Sequence, residues 1–166
     1  MQMKPHQQSP DPSNRAVSAC LERAELFFEG KRKRLTPIRR RVLEILLAQG
    51  CAMTAYKILD QLKADGKAPH PPVAYRALDF LVEFGFVHKI EHLNAYVACT
   101  HPHAHHAPAF MICRLCDKVT ETASPASTDM MQRLARETGF VVEETILEAV
   151  GICPDCCDDA GVAPST

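Results

Sequence analysis

A chain of 166 residues is long enough for one domain or two small ones around a real core, and no apolar run in it has the length a membrane-spanning helix needs. The net charge of −1 conceals a split: up to Ala98 there are 15 Lys/Arg against 10 Asp/Glu, and from Cys99 onward 4 against 10, a +5 half joined to a −6 half. A basic half of this kind suits a polyanionic partner and argues against a uniformly solvated surface.

Residues 1–13 are polar and Pro-rich and read as a disordered tail, without the apolar stretch of a signal peptide. That places the chain in the cytosol. Ala16 to Glu29 then reads as a first helix with apolar residues at Val17, Cys20, Leu21, Ala24, Phe27 and Phe28, closed by Gly30. The basic run Lys31-Arg32-Lys33-Arg34 follows. Thr36-Pro37 opens a second helix, with Thr as N-cap and Pro at the first helical position, and Ile38, Val42, Ile45 and Leu46 make its buried face. Arg39, Arg40 and Arg41 stand near its start.

Thr54 caps a third helix carrying Ile58, Leu59 and Leu62 and stopping at Gly66. A Pro-rich turn from Ala68 to Pro72 leads into a fourth helix, Val73 to Phe84, with Ala77, Leu78, Leu81 and Phe84 inward and Gly85 at the C′ position. Phe86 to Ile90 and Tyr96 to Cys99 read as two strands joined by a turn at His92 to Asn94. Helices followed by a hairpin are the order of a winged helix-turn-helix, here spanning 14–99. In that motif the first residues of the last helix meet base edges, so Tyr75 and Arg76 are the candidates for reading DNA, and Arg39 with the basic run for holding phosphates.

Residues 100–108 form a His-rich hinge. A second unit, 109–157, follows: strands at Ala109 to Cys113 and Val119 to Thr122, a helix from Ser127 to Thr138, and a third strand from Phe140 to Ile152. Residues 158–166 read as a tail. The fold class is therefore α+β, a winged helix-turn-helix followed by a small α+β domain.

Eight cysteines in a cytosolic chain, four of them in two C-x-x-C pairs, indicate metal rather than disulfides. Cys113, Cys116, Cys153 and Cys156 match a closed tetrahedral Cys₄ zinc site, which is a structural one. Cys157 cannot share its neighbour's position, and Cys20 and Cys51 read as small core residues. A second set of donors remains: His88, Cys99, His101, His103, His105, His106 and Glu121. His88 and Cys99 lie at facing ends of one hairpin, and a mixed N/S/O site there suits Zn²⁺. A hydrolase or deaminase would need an H-x-E motif and an open metal position, and neither is present, so the chain reads as no enzyme. A zinc-storage protein would need neither the basic half nor the Tyr75-Arg76 helix.

Arg34-Leu35-Thr36-Pro37-Ile38-Arg39, Tyr75-Arg76-Ala77-Leu78-Asp79-Phe80-Leu81, Gly85-Phe86-Val87-His88-Lys89 and the two C-x-x-C pairs together resemble the ferric-uptake-regulator family, and within it the zinc-uptake-regulator branch. The resemblance covers about Ala16 to Cys156. It implies a homodimeric repressor in which the second unit is the dimerisation domain. It implies two zinc ions per chain, a structural one on the four cysteines and a regulatory one on His88, Cys99, His106 and Glu121. Operator DNA is then the partner, zinc-uptake genes the target, and no membrane or small-molecule substrate is involved. Within the same fold, sensing of iron, manganese or peroxide is the alternative; a thiolate from Cys99 favours zinc over those harder ions. The family usually has Thr-Val before Tyr-Arg where this chain has Val73-Ala74, which removes an N-capping hydroxyl from the reading helix.

Overall fold

A computed structural model of the chain describes residues 14–66, 70–99, 102, 108–123, 125–143 and 145–160. The described residues fall into two compact units that divide between Pro102 and Pro108. Residues 1–13 and 161–166 and the His101, His103, His105 and His106 positions lie outside the described residues.

The N-terminal unit contains α1 (Asn14–Gly30), α2 (Pro37–Gln49), β1 (Met53–Thr54), α3 (Ala55–Ala64), α4 (Pro71–Glu83), β2 (Val87–Ile90) and β3 (Ala95–Ala98). The helix starts follow from local chemistry. Thr36 accepts the Arg39 N–H on its hydroxyl at 3.5 Å and Thr54 accepts that of Lys57 at 3.4 Å, each satisfying one of the donors a helix start leaves over. Helix α4 begins two residues earlier than the sequence suggests. Its N-cap His70 makes no side-chain cap bond, but Pro71 and Pro72 occupy positions where an N–H would have no partner, so the capping hydroxyl missing at Val73 is not needed.

The strands form an antiparallel sheet in the order β1-β3-β2, with Met53 opposite Tyr96 and His88 opposite Val97. Beneath it the core gathers Phe28, Leu43, Leu46, Ile58, Leu62, Leu78, Leu81 and Val87, all buried. Phe27, Phe28, Phe80, Phe84 and Phe86 pack ring against ring, with centroids 4.8–6.3 Å apart, and join the end of α1 to α4 and β2. Phe80 is buried, an inward position additional to those expected on α4.

Two helix ends close by the same device. After α4 the Phe86 N–H reaches the Leu81 carbonyl and the Gly85 N–H that of Val82, with Gly85 left-handed at φ +70°. After α1 the Lys33 N–H reaches Phe28 and the Arg32 N–H reaches Glu29, and the left-handed residue is Arg32 at φ 53°. Gly30, expected to close α1, is instead its last helical residue. A charged side chain thus occupies the position glycine would fill without strain.

The C-terminal unit contains β4 (Pro108–Cys113), β5 (Val119–Ala123), α5 (Pro125–Thr138), β6 (Leu147–Gly151) and α6 (Pro154–Ala160). Its sheet runs β5-β4-β6, with β4 antiparallel to β5 and parallel to β6. Among its described residues Ala109, Phe110, Ile112, Cys113 and Cys156 are buried. The long strand expected over Phe140 to Ile152 contracts to Leu147–Gly151, the stretch that has β4 beside it; Phe140 and Val141 stand 75% and 89% exposed. Where a tail was expected from residue 158, α6 continues to Ala160, started by Pro154. No helix among the described residues is long and apolar enough to cross a membrane.

The two helix ends give opposite mutational signs. Gly85→Ala, with open space around the added Cβ but a positive φ, should destabilise the fold by about 1 kcal/mol, and Arg32→Gly should stabilise it by a similar amount. Urea unfolding of the full chain measures both; a shift of the same sign in the two variants contradicts the assignment.

Candidate metal and DNA sites

Cys113 ends β4 and Cys116 sits in the turn to β5, where the Asp117 N–H bonds the Cys113 carbonyl at 2.9 Å and the Cys113 N–H bonds Lys118 at 2.9 Å. Parallel pairing sets Cys113 opposite Gly151, so the chain leaving β6 delivers Cys153 to the same end of the sheet, and the first turn of α6 adds Cys156. The four sulfurs all lie within 4.8 Å of one another, and Cys116 Sγ is 3.7 Å from Cys153 Sγ. A tetrahedral ion with Zn–S bonds of about 2.3 Å requires sulfurs about 3.8 Å apart, so the cluster has the dimensions of a Cys₄ zinc site. An ion pair from Lys118 to Asp155, 2.8 Å, fastens one knuckle to the other.

The electrostatics agree with a cation there. Burial pushes the Cys113 thiol up, but N–H groups of Cys153, Leu115 and Cys116 outweigh it and bring it down to about 6. Burial raises Cys116, and burial together with the neighbouring sulfurs raises Cys156 well above the usual thiol range. The peptide framework thus favours the Cys113 thiolate, and a bound divalent cation is what would let all four ionise together. Cys157 turns away, its Sγ 3.7 Å from the Ile152 carbonyl. Cys20 and Cys51, expected in the core, are only partly buried, Cys20 beside the Arg23 guanidinium at 2.9 Å.

In the N-terminal unit, His88 lies opposite Val97, and Cys99 follows two residues after Val97, so period-two alternation puts His88 and Cys99 on one face of the hairpin. Their ligand atoms lie within 4.8 Å of each other, and the Cys99 N–H extends the ladder to Phe86 at 2.9 Å. Glu121 stands on β5 of the other unit, opposite Phe110.

Helix α4 buries Ala74, Ala77, Leu78 and Leu81 and exposes Tyr75, Arg76 and Asp79. Among the described residues the Arg76 guanidinium has no carboxylate partner, whereas Arg40 pairs with Glu25 at 2.7 Å and Arg41 with Asp65 and Glu44 at 2.6 and 3.0 Å. Arg39, expected at phosphates, holds its guanidinium 3.5 Å from the Phe80 ring centroid and donates to the Arg34 carbonyl at 2.8 Å. The basic turn itself remains at the surface. Sequence reasoning passed over Tyr56 in the first turn of α3, 73% exposed beside Lys57; an aromatic residue off the apolar stripe of its helix was the available signal.

A profile of the ferric uptake regulator family matches residues 31–150. The chain belongs to the ferric uptake regulator family. Among its relatives in that family, the zinc uptake regulation protein of Escherichia coli (strain K12) is 40% identical over 139 residues, 83% of this chain and 81% of that protein. A zinc uptake regulator complexed with zinc and DNA superposes with a TM-score of 0.83 at 38% identity, covering 87% of this chain and 97% of that one. The crystal structure of holo XcZur superposes at 0.77 and 38% identity, covering 86% and 99%. The Fur-family match spans both the winged helix and the cysteine-bearing sheet.

Cys113→Ser should unfold the C-terminal unit regardless of zinc supply, because structural zinc binding and folding of such modules are one equilibrium worth on the order of 10–16 kcal/mol. Circular dichroism and zinc content of the purified variant check this. A folded variant with full metal content would remove Cys113 from the site.

Proposed function

We propose that the chain is a zinc-responsive transcriptional repressor: a homodimer that binds operator DNA when zinc is plentiful and shuts off zinc-uptake genes. What carries this reading is the similarity, at 38–40% identity over most of the chain, to a zinc uptake regulation protein and to a regulator seen bound to zinc and DNA. The residues support it independently. Four cysteines with the spacing of a tetrahedral site, a second His/Cys pair on the wing and an unpaired-for Arg76 on the helix that follows a Pro-capped turn are the parts such a switch needs.

We assign two zinc ions to each chain. Cys113, Cys116, Cys153 and Cys156 hold the structural one. His88, Cys99, His106 and Glu121 hold the regulatory one, and the Cys99 thiolate favours zinc over iron or manganese. Zinc supplies a redox-inert, four-coordinate cross-link. The chain does the rest: His88 and Cys99 tie the wing, the wing carries Val87 and Tyr96 into the core beneath α4, and α4 presents Tyr75 and Arg76 to the major groove. Lys31 to Arg34 and Lys57 supply phosphate contacts. A competent geometry that is only a fraction of the zinc-poor ensemble accounts for tighter DNA binding on zinc loading.

Dimerisation through the C-terminal unit fits its surface. Met111, Phe140, Val141 and Val150 are exposed there, apolar area that a lone small domain does not ordinarily leave in water. A two-fold dimer would set two reading helices on successive half-sites of a palindromic operator.

Two variants test the reading. Arg76→Ala should cost about 1–3 kcal/mol on the operator and relax base preference at one position per half-site, read by competition binding with single-base variants. An equal loss on operator and random DNA would make Arg76 a phosphate contact instead. Cys99→Ser should remain a folded dimer with about one zinc per chain that no longer tightens on DNA as zinc is added. Metal analysis, sizing and binding on the same preparation decide it: a variant that still switches moves the regulatory site elsewhere, and one that loses both ions makes Cys99 structural.

A further inference from the structure

The basic turn between α1 and α2 is built more firmly than a phosphate-binding loop requires. Arg32 takes a left-handed conformation, φ 53°, with the Lys33 N–H closing on Phe28 at 2.9 Å. Lys31 Nζ lies 5.8 Å above the Phe27 ring and Lys33 Nζ 6.0 Å above that of Phe84. The Arg34 carbonyl accepts two bonds, from the Thr36 N–H at 3.1 Å and from Arg39 Nη1 at 2.8 Å. The same Arg39 guanidinium stacks at 3.5 Å on Phe80. Phe80 is buried, belongs to the reading helix, and packs against Phe28 and Phe84 at 4.9 and 4.8 Å.

Arg39 therefore grips the basic turn with one edge and α4 with its face. A guanidinium stacked on a ring, with one of its five N–H donors given to a carbonyl, is held in one place, and its planar fork is what permits both contacts at once. We propose that Arg39 is a positioning residue for DNA recognition: it fixes the basic turn against α4, so that phosphate contacts from Lys31 to Arg34 and base contacts from Tyr75 and Arg76 are made in a single register. This rests on the DNA-binding reading above. A loosened turn would still find phosphates on any duplex but would no longer hold them at the spacing that places Arg76 on its base.

The decisive variant is Arg39→Lys, which keeps the charge and loses the fork, compared with Arg39→Met, which loses both. The probes are a duplex that the zinc-loaded parent selects from a random pool and a mixed-sequence duplex of equal length. Failure of the parent to select any duplex counts against DNA recognition itself, separately from the role of Arg39. With Arg39→Lys, binding to the selected duplex should fall about tenfold, as loss of one hydrogen bond and one cation–π contact implies. Mixed-sequence binding and the salt slope should stay near parental, with zinc content and dimer size unchanged. Amide exchange at Lys33 and Thr36 should quicken without DNA present, while that of the α2 interior does not. Arg39→Lys behaving as the parent, with Arg39→Met weakening both duplexes and lowering the salt slope by about one, would make Arg39 a phosphate ligand and overturn the proposal. Unchanged exchange at Lys33 and Thr36 would overturn it equally.

Discussion

Four cysteine sulfurs within 4.8 Å of one another are a constraint that the C-terminal unit is arranged around. Two peptide turns and the parallel pairing of β4 with β6 serve to bring them together, and the peptide N–H groups around Cys113 already favour its thiolate. The same framework raises Cys116 and Cys156, first by burial and then through the neighbouring sulfurs. Among the described residues of this unit few apolar side chains are buried, the setting in which a metal cross-link would stand in for a large core. The exposed Phe140 and Val141 are the apolar surface on which the proposed dimer would close.

The N-terminal unit is stabilised differently. Leucine, isoleucine and five clustered phenylalanines close its core, and ion pairs of Arg40 and Arg41 tie α2 to α1 and α3 at its surface. Such a core sets the helices rigidly, as the proposed base-reading role of α4 would require. Among the described residues, Lys31 to Arg34, Lys57 and Arg76 enter no ion pair with a carboxylate. Their separation from the engaged arginines is a better guide to the DNA face than the count of basic residues in the half-chain.

Much of this was legible in the sequence because it depends on local chemistry. Thr36-Pro37 and Thr54 start helices by satisfying their own backbone donors, Gly85 ends one by taking a positive φ, and the two C-x-x-C pairs state their chemistry through spacing alone. What was not legible depends on partners distant in the chain. The two-residue β1 exists only because Tyr96 and Ala95 pair with it, and Arg39 turns from phosphate to Phe80 because a ring forty-one positions away is brought beneath it. The apolar alternation from Phe140 onward reads as strand, but only Leu147 to Gly151 finds a neighbour within one chain. Arg32 takes the left-handed position usually left to glycine, which no propensity anticipates. His106 falls outside the described residues, so its place beside His88 and Cys99 rests on the family resemblance.

The account depends on two zinc roles held by separate ligand sets: one that lets the C-terminal unit fold and one that controls DNA binding. The direct test is a zinc titration of metal-stripped, reduced protein in which bound zinc per chain, secondary structure and affinity for a selected duplex are followed together. The account predicts that folding is complete after the first equivalent while DNA affinity stays low, and that affinity rises only as the second equivalent binds. Full DNA affinity at one equivalent, or affinity that climbs in step with folding from the start, would contradict it.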